Sequence, residues 1–173
     1  KLQGPGQRVG MSLGGGGTGK TYCRDGACIT EQEDSVIRSN LIASCSDDGI
    51  YLNRAARSQI SHNTLLDTGG VVVRFAASRA IAEGNLVDGA IRSREEGALR
   101  LVDNLDMRIA GLYAGHHWVR GLFTSPSIAS LEWGRHPPRR KTTPSNPVRD
   151  LCDGTRPRMP AYGAFEAFSL CRK

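Results

Sequence analysis

Ile60-Ser61-His62-Asn63-Thr64-Leu65-Leu66-Asp67-Thr68-Gly69-Gly70-Val71-Val72-Val73-Arg74 joins two short strand-like runs through turn-forming residues, and the arrangement recurs on either side. Asn63-Thr64-Leu65 has counterparts in Asn40-Leu41-Ile42, Asn85-Leu86-Val87 and Asn104-Leu105-Asp106, spaced by 23, 22 and 19 residues. Ile37, Ile60, Ala82 or Leu101 stands three positions before each asparagine. Gly70-Val71-Val72-Val73 is matched by Gly49-Ile50-Tyr51-Leu52, by the weaker Gly89-Ala90-Ile91, and near the start by Gly10-Met11-Ser12-Leu13. A unit of about 22 residues leaves no room for an amphipathic helix and its loops. It cannot bury its own apolar face, whereas stacked units can. Strand alternation sends Ile37, Ile50, Leu52, Ile60, Val71 and Val73 inward and Tyr51, Asn53, Val72 and Arg74 outward. The asparagines then superpose at a turn, where each side-chain amide can bond the next coil.

This repetition resembles the right-handed parallel β-helix family, and the resemblance covers about residues 8–106. It implies an all-β solenoid with an irregular C-terminal capping segment. A leucine-rich repeat is the nearest rival, but its Leu-x-x-Leu-x-Leu frame is absent. The expected organisation is a β-helix over 1–110, carrying a glycine- and cysteine-rich insertion at 14–35, followed by a cap and basic proline-containing tail over 111–173. Asp150–Pro157 and Tyr162–Glu166 look like the closing segment of many secreted bacterial β-helix proteins, and Trp118–Pro126 resembles the stretch before it. The opening Lys1 and the lack of an N-terminal cap pattern lead us to expect the C-terminal portion of a longer β-helix.

Composition narrows the partner. Glycine at 21 of 173 residues fits many tight turns. The net charge of +6 lies wholly in residues 135–173, with 9 Lys/Arg against 3 Asp/Glu, while residues 1–134 carry 14 of each. The Gly134–Pro144 run reads as an extended, solvated connection, without interleaved aromatics for stacking nucleobases. No nucleic acid and no membrane span are therefore expected. Of five cysteines, Cys23 and Cys28 bracket an Asp-Gly turn, Cys152 and Cys171 flank the terminal segment, and Cys45 is left over. Two disulfides would place the chain in a secreted or periplasmic compartment.

Gly14-Gly15-Gly16-Gly17-Thr18-Gly19-Lys20-Thr21 satisfies the phosphate-loop pattern G-x-x-x-x-G-K-[ST]. The helix that must follow to face the anion has no periodicity here, so nucleotide is not expected. Asp47-Asp48-Gly49 resembles the Asp-Asp pair of polygalacturonase-type β-helix glycosidases, where paired carboxylates supply an acid and a water-activating base. The Gly-His-Gly and Arg-Ile-Lys motifs of those enzymes are missing. The lyases of this fold use Lys/Arg pairs or Ca²⁺ to neutralise a uronate. Arg38, Arg54, Arg74 and Lys20 could fill the first role and Glu31, Glu33 and Asp34 could hold the ion. No cofactor is otherwise expected, and His116-His117-Trp118 lacks a spaced third metal ligand.

The leading expectation is polysaccharide, acidic polymers included, bound along a sheet face. Tyr51 would stack on sugar, Arg74, Lys20 and His62 would bind substrate, and Asp47, Asp48 and Arg54 would be the catalytic candidates of a lyase or glycoside hydrolase. The alternative is a non-catalytic structural or adhesive solenoid.

Overall fold

The structure, a computed structural model, describes residues 9–107, 110–111, 114–115, 117–125, 131–145 and 149–171. Among these residues thirteen strands wind in chain order: β1 (Met11–Leu13), β2 (Gln32–Glu33), β3 (Val36–Arg38), β4 (Leu41–Ala43), β5 (Ile50–Asn53), β6 (Ala55–Ala56), β7 (Ser58–Ser61), β8 (Thr64–Leu66), β9 (Gly70–Arg74), β10 (Arg79–Glu83), β11 (Leu86–Val87), β12 (Ala90–Arg94) and β13 (Ala98–Val102). They stack as a first sheet β1-β5-β9-β12, a second sheet β3-β7-β10-β13, a third sheet β4-β8-β11, and a short β2-β6 pair. Every pairing between these strands is parallel. The chain is thus an all-β, right-handed parallel β-helix of about three turns, with only short helical turns among the described residues.

The repeat spacing becomes a register. Met11, Ile50, Val71 and Ile91 superpose in the first sheet, and Ile37, Ile60, Ala82 and Leu101 in the second. With Leu52, Leu65, Val73 and Val87, all of these but Leu101 fill the interior of the coils. Leu101 is 54% exposed despite its inward register, because it belongs to the last coil of the stack.

The asparagines form the expected ladder. The Asn63 side-chain oxygen accepts from the Asn40 backbone N–H and Nδ2, Asn85 does the same for Asn63, and Asn104 for Asn85, at 2.8–3.1 Å. Each coil enters this turn through a left-handed residue: Ser39, His62, Gly84 and Asp103 have φ of 51°, 53°, 66° and 47°. A short turn that reverses the chain between two sheets needs that backbone, and Gly, Asn, Asp and small polar residues supply it cheaply.

Two residues that alternate outward are nevertheless buried. Val72 lies between Tyr51 and Arg92 in one outward row, and the long side chains on either side shut it from water. Asn53 is covered by the start of the insertion, where a Cβ on Gly14 (φ 67°) would collide with the Asn53 carbonyl.

The C-terminal segment lies along the third sheet, where Val119, Phe123, Leu131, Tyr162, Ala164 and Phe165 form a second core with Leu66 and Leu86. It touches all four levels of the stack. The Arg149 carbonyl accepts from Ser39 Oγ, the Ala164 N–H donates to Thr64 Oγ1, the Gly163 N–H donates to the Gly84 carbonyl, and the Lys141 N–H donates to Asp103. The basic run is therefore no free linker. Arg140 is 1% exposed and is the largest fully buried side chain among the described residues, because acids of two coils converge on it. Both expected disulfides are present, Cys23–Cys28 and Cys152–Cys171, with Cα separations of 5.4 and 4.5 Å, and Cys45 is free.

Candidate functional site

The outer face of the first sheet gathers part of the expected set. Ser12, Tyr51, Val72 and Arg92 form one outward row, and Asn53, Arg74 and Arg94 the next. Arg74 Nη1 donates to the Tyr51 hydroxyl at 3.2 Å, its Nη2 donates to Glu95 at 2.6 Å, and its guanidinium lies over the Phe75 ring. The structure thus brings Tyr51 and Arg74 together and fixes both. An amphipathic ring held half-open beside a planar donor is an arrangement that stacks on a sugar and hydrogen-bonds its edge.

The acid–base candidates do not converge. Asp47 and Asp48 precede β5, whereas Arg54 follows it, so a strand of four residues, roughly 13 Å at ~3.3 Å per residue, lies between them. Asp47 is exposed, with its backbone carbonyl accepting from the Gly69 N–H. Asp48 is buried, and Arg92 Nη2 donates to it at 2.9 Å while Nη1 donates to the Gly69 carbonyl. Burial raises the Asp48 carboxyl above its ordinary range, with Arg92 pulling the other way. Arg54 sits at a left-handed corner, 3.9 Å from Glu31.

Arg92 was missed by sequence reasoning. The signal was present: 20 residues beyond Val72, in register with it, a long cation must share the outward row. Its crossing from one coil to another, to reach Asp48, has no sequence signature.

His62 is not available to a ligand on this face. It occupies the turn before Asn63, is 1% exposed, and lies with Nε2 3.2 Å from Arg140 Nη1. A Cβ on Gly84 would press within 3.1 Å of both groups, so the glycine leaves room for the pair. Burial, with Arg156 and Arg140 nearby, lowers the His62 pKa to about 3, so it is neutral at ordinary pH.

Lys20 lies exposed in a short 3-10 turn, Lys20–Tyr22, inside the insertion. The amides of the glycine-rich loop have an internal occupant: Gly15, Gly16 and Thr18 N–H groups donate to the Glu31 carboxylate at 2.8, 2.7 and 3.4 Å. Those bonds, that of Gly16 foremost, hold Glu31 below the usual carboxylate range. The loop has the anion-cradling chemistry of its motif, directed at the chain's own side chain. Glu33 and Asp34 are likewise engaged by Arg57 at 2.6 and 2.7 Å. Among the described residues no group of three or more His, Cys, Asp or Glu is placed to hold a metal ion. His116 lies outside the described residues.

No helix among the described residues is long and apolar enough to cross a membrane. No curated protein and no solved structure matches the chain. The family described as "Right handed beta helix region" matches residues 18–111, the stretch that holds the asparagine ladder and all but the first of the strands. More than half of the chain is covered by that match, and the protein belongs to the right-handed β-helix family.

Proposed function

We propose that this chain is an extracytoplasmic β-helix that binds polysaccharide on the outer face of its first sheet. The observation that carries the reading is the Tyr51–Arg74 hydrogen bond, which presents a ring and a guanidinium together on a half-open sheet face. Tyr51 stacks on a sugar ring, while Arg74 and Ser12 address its hydroxyl or carboxylate groups. Residues 1–110 supply the binding body and residues 111–173 brace it. The two disulfides support a secreted or periplasmic setting, where such bonds persist.

Binding without turnover fits the geometry better than catalysis. Asp48 is closed off by Arg92, and Arg54 stands at the far end of β5. One observation favours the structural or adhesive solenoid instead: Arg74 and Arg92 already pair with Glu95 and Asp48. Affinity electrophoresis through gels loaded with neutral and uronate polysaccharides separates these readings. Retardation that Tyr51→Ala abolishes supports the binding face, and unretarded migration in every gel favours the structural solenoid. Unsaturated-uronate absorbance or new reducing ends would instead restore an enzymatic reading, with Asp47 the first residue to substitute.

A further inference from the structure

Five buried side-chain polar atoms have no hydrogen-bond partner among the described residues: Asn53 Oδ1, Arg74 Nε, His117 Nδ1, His62 Nδ1 and Arg156 Nε. An unpaired buried polar atom is costly, so each calls for a neighbour or an occupant. Asn53 and Arg74 are register neighbours on the first sheet, one an acceptor and the other a donor, and a single water serves both. His117 has the Asp88 carboxylate nearby.

His62 and Arg156 differ, because both of their unpaired atoms are donors. Arg140 Nη1 lies 3.2 Å from His62 Nε2, and a guanidinium has no lone pair to offer. Nε2 must therefore accept, which puts the proton of the neutral ring on Nδ1. Arg156 directs Nη1 to Glu166 and Nη2 to the Gly163 and Ala164 carbonyls, and its Nε–H is left over. Both residues reach the same corner. The Gly163 N–H donates to the Gly84 carbonyl, and a Cβ on Gly84 would lie 3.0 Å from His62 Nε2. Arg156 is also the foremost charge acting on the His62 ring, ahead of Arg140.

Two donors call for an acceptor that brings no protons of its own. A water would accept both bonds but would still need acceptors for its two hydrogens. The acids around the pair are already held: Glu83 by Arg140 and the Ser145 N–H, Glu166 by Arg139 and the Ala161 N–H, and Asp150 by three backbone N–H groups. The charges acting on the ring are Arg156 and Arg140 against Glu83 alone, an excess of positive charge that favours an anion. His62 is 1% exposed and the Arg156 side chain 3% exposed, and so closed a corner suits a single atom better than an oxyanion.

We infer that His62 Nδ1 and Arg156 Nε together bind a chloride ion, which ties the C-terminal segment to the second coil. The site is a brace for the fold and does not depend on the first sheet binding sugar.

The test unfolds the whole chain in urea while chloride replaces gluconate at constant ionic strength. Chloride should raise the folding constant saturably, by about ten-fold at ten times its dissociation constant. Arg156→Lys keeps the charge, lacks the Nε donor, and should lose that response. A wild-type crystal soaked in sodium bromide gives a readout that needs no variant: the anomalous signal should fall within hydrogen-bond reach of both His62 Nδ1 and Arg156 Nε. Three outcomes overturn the assignment: equal unfolding midpoints in chloride and gluconate, an Arg156→Lys response equal to that of wild type, or a water at the site with bromide bound elsewhere as an adventitious ion only.

Discussion

Arg140 Nη2 lies 2.9 Å from Glu83 Oε1, joining the proline-bearing C-terminal segment to the second-sheet edge of the third coil across 57 residues of chain. The same guanidinium reaches Asp103 on the next coil at 3.4 Å and His62 on the previous one at 3.2 Å. Asp103 in turn accepts from Thr142 and from the Tyr162 hydroxyl in a short hydrogen bond. Burial works to raise the Asp103 carboxyl, but these bonds and Arg140 outweigh it and hold the pKa down at about 2, while burial and Asp103 push Tyr162 up to about 12. Removing the cation strands two acids in a poorly solvated junction. Arg140→Met is expected to lower stability by about 3–5 kcal/mol, read from urea unfolding. A loss under ~1 kcal/mol would show that the segment is held by its apolar contacts alone.

The same junction fixes the response to acid. His62 is neutral in the fold, with a pKa of about 3 against roughly 6.5 when unfolded. The unfolded chain binds the extra proton, so the stability from this group is complete above about pH 6.5 and drains away as pH falls toward 3. Asp103 is depressed as well, so its contribution is present above the ordinary carboxylate range and is lost only as pH falls toward about 2. Facing His62 are Arg140, Arg156 and Glu83, two cations against one acid, which keeps the ring from gaining a proton. Wild type is expected to lose roughly 3 kcal/mol between pH 6.5 and pH 4. His62→Asn, which tolerates the left-handed backbone, should flatten that interval and leave the steeper loss below it. Equal slopes for both proteins would contradict the buried neutral imidazole.

Ladder position sets the cost of losing an asparagine. Asn85 is internal: it accepts two bonds from Asn63 and donates to the Ile60 carbonyl and to Asn104. Asn85→Ala takes the acceptor from the buried Asn63 backbone N–H and amide and the donor from the Ile60 carbonyl, and should cost about 3 kcal/mol, whereas Asn40→Ala, at the end of the row, should cost about 1 kcal/mol or less. Comparable losses at both positions in parallel urea titrations would mean that the ladder does not act through buried hydrogen bonding.

How much of this was legible in the residues follows from what each feature depends on. The ladder, the inward rows and both disulfides are local or periodic: Asn40, Asn63, Asn85 and Asn104 announce one turn four times, and Cys23–Cys28 and Cys152–Cys171 each bracket one segment. Arg140 was hidden, because a run containing Pro137, Pro138, Arg139 and Lys141 has the composition of a solvated linker. Its partners Glu83 and Asp103 lie on coils that only the folded solenoid brings beside it. The Gly14–Thr21 loop shows the reverse: its pattern correctly implies amides gathered round an anion, but the anion is Glu31. Within the candidate site, the spacing brings Tyr51 near Arg74, while the Asp48–Arg92 bond skips a coil and leaves no periodic trace.

Thiol titration checks the covalent frame. The unreduced chain, unfolded in denaturant, should expose one reactive thiol, Cys45, and five after reduction. Cys152→Ser/Cys171→Ser should destabilise the chain by about 2–3 kcal/mol, since that bond closes a separation of 19 residues. Five thiols before reduction would remove the main support for an extracytoplasmic setting.

The binding face is tested most directly by following the Tyr51 ring and the Arg74 and Arg92 guanidinium resonances by NMR during titration with oligosaccharides that retard the protein in gels. The Tyr51–Arg74 pair should shift progressively and saturably, together with Ser12, while Leu66 and Leu86 beneath the C-terminal segment stay fixed. Saturable binding that leaves Tyr51, Arg74 and Ser12 unmoved would contradict the assignment of the first sheet as the polysaccharide face.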